Sequence, residues 1–177
     1  MSNLRYISTT EISTTVNTVN IENVFTNDFD IYVIEGTDIG MTNGGGDYLH
    51  GRVLNSSGSQ ITSDYVYASA YMASSSTTMG EDGLTSRTEW ESFAFVGDGV
   101  NDTIAFTMYI FNPTNASQHT YYYLEASTHR NSTGICYLWR SIGVHQSTQD
   151  IRGIQFSAKT GNMDKGKFQI YGLRVDS

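Results

Sequence analysis

IRGIQFSAKTGNMDKGKFQIYGLRV, residues 151–175, is the stretch that decides the fold class of this chain. Two apolar-rich runs flank a segment containing Gly161, Asn162, Asp164 and Gly166. In the first run Ile154, Phe156 and Ala158 share a face at period two, with Arg152 in phase at the start. In the second, Phe168 and Ile170 share one face, and Tyr171, Leu173 and Val175 then occupy the other. Alternation of this kind marks half-buried strands. The slip of phase at Tyr171–Gly172 points to a bulge, or to a strand end buried on both faces. The stretch predicts a closing β-hairpin, with Phe168, Ile170 and Leu173 in the core and the last strand paired to an earlier one.

Composition extends that reading to the whole chain. Its 177 residues fit one domain, long enough to bury roughly 70% of the unfolded surface. Charged residues are 16%, against about 25% in an average domain. Gly, Ser, Thr and Asn are abundant, which disfavours helices and suits strands joined by tight turns. Twelve Tyr and eight Phe are too much apolar surface for a solvated, disordered chain. The expectation is an all-β chain, an antiparallel sandwich of jelly-roll type. Residues 1–24, rich in Thr and Asn with isolated Ile and Val, read as an extended N-terminal arm or edge strand. Residues 25–177 read as a single β-sandwich domain.

Further strands are expected at Phe29–Ile34, Tyr48–Leu54, Tyr65–Met72, Thr88–Val96, Asp102–Phe111, Tyr121–Leu124 and Ile135–Val144. The cleanest alternation sets Ile104, Phe106, Met108 and Ile110 against Thr103, Ala105, Thr107 and Tyr109. Gly36–Asp47, with its Gly44–Gly46 run, and the small-residue stretch Ala73–Gly83 read as loops. Asn55–Gly58 and Asn112–Asn115 read as turns.

The formal charge of −8 and pI near 4.7 exclude a nucleic-acid partner, whose phosphates need a basic stripe. Lys159, Lys165 and Lys167 cluster on the closing stretch, where they serve to discourage edge-to-edge pairing. Cys136 stands alone and makes neither an internal disulfide nor a thiolate metal site. The opening MSNLRYISTT lacks the apolar core of a leader, and no run is long enough to span a bilayer. Synthesis in a cytoplasm and no membrane partner are expected.

Catalytic chemistry is hard to find. His50, His119, His129 and His145 are scattered, and exposed positions at strand ends are the ordinary expectation for them. No GxSxG elbow, P-loop or GxGxxG occurs in the required context. Asp28 with Asp30, and Glu81 with Asp82, are short carboxylate pairs that more often solvate a turn than hold calcium. No catalytic residue, cofactor or metal is therefore assigned, and an enzyme is not expected. The Asn-x-Ser/Thr triplets at Asn55, Asn101, Asn115 and Asn131 read as turn composition. The one candidate ligand or partner surface is aromatic: Tyr65, Tyr67 and Tyr71 on one strand face, with Tyr121, Tyr122 and Tyr123. Such rings can pack on the apolar faces of sugars; the alternative is that they pack inside the sandwich with hydroxyls at its rim.

Landmarks along the chain carry a resemblance. They are Val24–Tyr32 (VFTNDFDIY), Arg52–Gly58 (RVLNSSG), Ile110–Pro113 (IFNP), Gly153–Phe156 (GIQF) and Tyr171–Leu173 (YGL). Together with the Thr/Ser-rich start they resemble a group of small structural proteins of tailed bacteriophages, notably phages of marine bacteria and cyanobacteria. The resemblance implies a β-sandwich component of the virion, at the particle surface. The leading expectation is a capsid decoration or cement protein that docks on the head exterior, with the major capsid protein or other virion proteins as partners. The arm from Ser2 to Asn23 holds too few apolar residues for a core of its own and too many Ile and Val for a free tail, so a homo-oligomer is expected, with the arm packing across a neighbouring copy or onto the capsid. The alternative is a receptor- or carbohydrate-binding module of a tail fibre, with a glycan as partner.

Overall fold

The computed structural model describes residues 3–42, 46–97, 99 and 101–174. Gly44, Gly45 and Val175 lie outside the described residues. Twelve strands run through those residues, and no helix occurs among them. In chain order they are β1 (Leu4–Ile12), β2 (Thr18–Ile21), β3 (Ile31–Met41), β4 (Asp47–Asn55), β5 (Tyr65–Ala73) and β6 (Gly80–Arg87). They continue with β7 (Trp90–Val96), β8 (Ile104–Phe111), β9 (Thr120–Arg130), β10 (Ile135–His145), β11 (Ile151–Ala158) and β12 (Met163–Leu173).

Two antiparallel sheets result. One has eight strands in the order β1-β12-β3-β8-β9-β10-β5-β6, and the other has four, β2-β11-β4-β7. Setting β5, β6, β9 and β10 aside, the remaining eight strands are ordered first-eighth-third-sixth in one sheet and second-seventh-fourth-fifth in the other. That is the jelly-roll topology. The four strands set aside extend the larger sheet beyond β8. This extension curls over β7, the edge of the smaller sheet. Trp90 and Phe93 of β7 pack against Tyr65 of β5 and Tyr122 of β9, with ring centroids 4.7–5.2 Å apart.

The sandwich forms because the period-two pattern is real. On β8, Ile104, Phe106, Met108 and Ile110 all point into the core, and Ala105, Thr107, Tyr109 and Phe111 point out. On β9, Tyr122, Leu124 and Ala126 are buried and Tyr121, Ser127 and His129 are exposed. β11, central in its sheet, is buried on both faces: Ile154, Phe156 and Ala158 inward, Gln155 and Ser157 outward.

The closing stretch departs from a hairpin. β11 pairs with β2 and β4, whereas β12 pairs with β1 and β3 in the other sheet. The chain crosses from one sheet to the other, and Phe156 and Phe168 stack face to face across the core at 4.6 Å and 9°. The apolar faces that alternation reveals are turned toward each other rather than set side by side. Leu173 is also misplaced by the hairpin reading. Phe168, Ile170 and Gly172 point inward, and Leu173 lies on the outer face, half-buried. The phase slip coincides with an irregularity on one side only: the pairing Tyr171↔Val33, Gly172↔Tyr32 and Leu173↔Ile31 is continuous, but the register to β1 shifts between Tyr6 and Ser8, opposite Tyr171 and Ile170. A Cβ on Gly172 would lie 2.4 Å from Phe29, so the Phe29 ring fills the inward position that the glycine leaves empty.

Two segments read as loops carry ladders, and the N-terminal stretch takes the edge-strand form of its two expected ones. Leu4–Ile12 is the edge strand of the eight-stranded sheet, and Thr18–Ile21 is the edge of the smaller one. Both pair within this chain. β3 runs on to Met41 through a bulge near Asp38, which sits at φ 57°. Gly80–Gly83 belongs to β6, the far edge of the larger sheet, whose residues are almost all exposed.

Candidate interaction surface

The six tyrosines singled out from sequence do not form one surface. Tyr65 is fully buried: its hydroxyl donates to the Ile61 carbonyl at 2.9 Å and accepts from the Val53 amide at 3.0 Å. Burial pushes its pKa far above the ordinary tyrosine range. Tyr122 is also buried, with its hydroxyl 2.6 Å from Ser141 Oγ, and desolvation raises its pKa in the same way. Tyr67 is buried, and Tyr71 is half-buried, stacked on Trp139 at 4.6 Å. These four line the inner face of the extension. Only Tyr121 and Tyr123 point outward, because β9 alternates and they flank Tyr122.

The outer face of the extension is where the unusual chemistry lies. Met72 and Ile142 are 54% and 55% exposed, and Leu138 and Tyr121 project beside them. Residues on adjacent strands place them together: Leu138 pairs with Met72, and Ile142 with both Ala68 and Tyr123. Small residues (Ala68, Ala70, Gly83) form the floor of an open groove of about 810 Å³, with Tyr123, Arg140 and Ile142 on its rim. A second groove of about 440 Å³ continues past Leu138 to Ala105 and Thr107 on β8. Within the face, Arg140 Nε donates to Glu125 at 2.7 Å. A hydrogen bond between Tyr123 and Glu125 raises the tyrosine pKa and lowers that of the carboxyl. Outward rings continue the face onto β8, where Tyr109 stacks near Phe111 at 6.4 Å and 16° and lies 6.4 Å from Tyr123.

The outer face of the four-stranded sheet is its chemical opposite. A groove of about 390 Å³ is lined by His50, Arg52, Arg87, Glu89, Glu91 and Lys159, with Thr18 and Ser157. β4 supplies His50 and Arg52 at period two, opposite Gln155 and Ser157 of β11. Glu89 bridges His50 Nδ1 at 3.4 Å and Arg52 Nη2 at 3.1 Å. Arg52 is pinned further by the Thr88 carbonyl and Gln60, and Arg87 pairs with Glu91. Burial raises the Glu89 pKa, but the hydrogen bond and charge of His50, then Arg52 and Arg87, outweigh it and hold the carboxyl below its usual range. The sequence offered a signal for this site in Arg87-Thr-Glu89-Trp-Glu91, three charged residues at period two around a buried tryptophan. Looking for paired histidines and cysteines passed over it.

The histidines are not uniformly exposed strand-end residues. His50 and His145 are buried, His119 is half-buried and His129 is exposed. His145 packs 4.8 Å from Tyr65, and desolvation lowers its pKa. Among the described residues no group of three or more His, Cys, Asp or Glu side chains is placed to hold a metal ion. The buried carboxylates have structural partners. Asp47 accepts from the amides of Tyr48, Thr160 and Gly161, and Asp102 from those of Gly99 and Asn131. Asn55 and Asn115 accept backbone amides of their own turns.

No family model matches the chain, and no curated protein matches it. Among solved structures it is similar to the CBM2 module of the evolved Dit of Lactobacillus casei BL23 phage J-1. The two are 11% identical over 90% of this chain and 70% of that one, with a TM-score of 0.29. An overlap that low carries no argument about either protein's ligand.

Proposed function

We propose that this chain is a non-catalytic structural protein of a phage virion, a capsid decoration protein that docks on the head exterior through the outer face of β9, β10, β5 and β6. The observation that carries the reading is the run of Met72, Leu138 and Ile142, exposed on a sheet face that no other strand among the described residues covers. A monomer at rest in water has no use for aligned aliphatic side chains on solvent, and such patches mark sites of protein contact. The chemistry favours a protein partner, since aliphatic groups bury against aliphatic groups. Arg140 and Glu125, already paired at the centre of the face, offer polar register within an apolar contact. Binding only to the assembled lattice then stabilises the shell by mass action.

A tail-fibre carbohydrate module is the second reading. The outward rings of Tyr109, Phe111 and Tyr123, set about 6.4 Å apart, favour it. The two readings separate on intact particles. Loss of a decoration protein lowers the temperature at which particles release DNA and leaves adsorption to cells unchanged. Loss of a fibre module does the reverse. Ile142→Asp with Leu138→Asp is expected to leave the protein folded and abolish its recovery on particles. Full incorporation of that double variant would refute docking through this face.

A further inference from the structure

We infer that the polar groove on the outer face of the four-stranded sheet is a binding site for a neutral saccharide, held edge-on through its hydroxyl groups. The site lies on the outer face of the other sheet, with Arg87 reaching it from the end of β6, and does not depend on the docking reading.

The groove is built rather than incidental. His50, Glu91, Glu89 and Arg52 have side chains only 6%, 16%, 17% and 23% exposed. Partly buried ion pairs lose hydration that their mutual attraction only partly restores, and apolar replacements are often as stable. Two polar atoms on this face are also buried without a hydrogen-bond partner among the described residues: His50 Nε2 and Gln155 Oε1. Gln155 is 1% exposed, and its other atom, Nε2, is fixed by Asn20 at 2.7 Å. Buried polar groups are nearly always satisfied, so an incomplete set points to an absent ligand or solvent.

The lining selects the class of ligand. Two carboxylates oppose an anion, and three cations oppose a cation. Ring faces are lacking for stacking, since the Tyr48 ring at the margin is covered by Lys159 at 5.4 Å. What suits both signs at once is a group that donates and accepts at the same atom, which is a hydroxyl. Glu91 Oε1 receives Arg87, which leaves Oε2 to accept, while Lys159 Nζ, Thr18 Oγ1 and Ser157 Oγ offer donors on the facing strands. The ion pairs hold these groups in place before binding, so little ordering cost remains. The volume, about 390 Å³, lies in the range of small-molecule sites.

The test is a glycan array probed with the full chain, followed by saturation-transfer NMR with the free monosaccharide of each hit. Glu91→Gln and Lys159→Ala are each expected to weaken binding tenfold or more, with unchanged thermal melts. Absence of binding to any glycan overturns the inference. So does binding that survives both variants but is lost in Tyr123→Ser, which places the sugar on the docking face. Competition by inorganic phosphate or acetate at the same residues overturns it in favour of an anion site.

Discussion

Replacing Tyr122 by Ser tests the architecture at the point where the extension meets the jelly roll. Tyr122 is 2% exposed, and its ring lies 4.7 Å from Trp90 and 4.9 Å from Phe93. Gly143, directly across the ladder, lacks a side chain where a Cβ would sit 2.3 Å from that ring. The ring is thus enclosed by β7 and β10, and the site has little freedom to collapse when it is removed. Truncation of a buried aromatic in such a setting costs about 3–5 kcal/mol. With a urea m-value of roughly 2 kcal/mol/M, the unfolding midpoint falls by about 2 M. Tyr122→Phe keeps the ring and strips the partner from Ser141, itself 1% exposed. Leaving that hydroxyl unsatisfied costs about 1–3 kcal/mol. Tyr121→Ser, one residue away and on the outer face, is expected to stay within about 0.5 kcal/mol. Urea unfolding followed by tryptophan fluorescence reads all three. Equal midpoints for Tyr121→Ser and Tyr122→Ser would refute the curl of the extension over β7. A stable Tyr122→Ser protein that no longer attaches to cells would overturn the docking assignment as well.

Gly172→Ala places a methyl group 2.4 Å from Phe29 and is expected to cost about 1–3 kcal/mol by overpacking; Phe29→Leu should return part of it in a double-mutant cycle. Asp102→Ala strips the acceptor from the Gly99 and Asn131 amides, 2.7 and 2.8 Å away, and chemical unfolding should register a loss of roughly 2–3 kcal/mol. Acid should destabilise the fold in two stages. His145 has a folded pKa below the unfolded 6.5, so the unfolded state takes the proton first and stability falls as pH drops below about 6.5. Glu89, held below 4.5, contributes stability above that pH and loses it as the carboxyl protonates. His145→Gln should flatten the slope of melting temperature against pH below about 6.5, and an unchanged slope would remove His145 from the account.

Much of the sandwich was legible because alternation reports which side chains face inward. The positions of β8 and β10, and the shared face of Tyr65, Tyr67 and Tyr71, follow from period two, whereas β9 runs on to Arg130, past the Tyr121–Leu124 expected from sequence. Alternation does not report which sheet a strand joins. Gly161 and Asn162 suit a tight turn, yet they carry the chain from one sheet to the other, Asp164 already lies in β12, and Phe156 and Phe168 face each other across the core. β6 was hidden for a different reason. Gly80–Arg87 lies at an edge with both faces largely open, so burial imposes no pattern on it. The polar groove was hidden because its members come from β2, β4, β11, the end of β6, the start of β7 and the turn between those two, and only the topology brings them together.

The extension also explains why one face of the larger sheet is so apolar. Its inner face is occupied, since β5, β9 and β10 bury Tyr65, Tyr122 and Trp139 against β7 and β4. Its outer face has no layer above it, and folding places no demand for aliphatic residues there. On β1 and β12 the outward pairs Thr9–Gln169 and Glu11–Lys167 are polar, and toward the other end Tyr6–Tyr171 and Leu4–Leu173 are not. Across β10 and β5 the outward positions include Leu138–Met72 and Ile142–Ala68, with Arg140–Ala70 between them. Both halves of the sheet thus mix polar pairs with exposed apolar ones, and the extension is set apart by Met72, Leu138 and Ile142 gathered around the single Arg140–Glu125 pair. The docking proposed above would bury these three side chains, whereas folding alone leaves them on solvent.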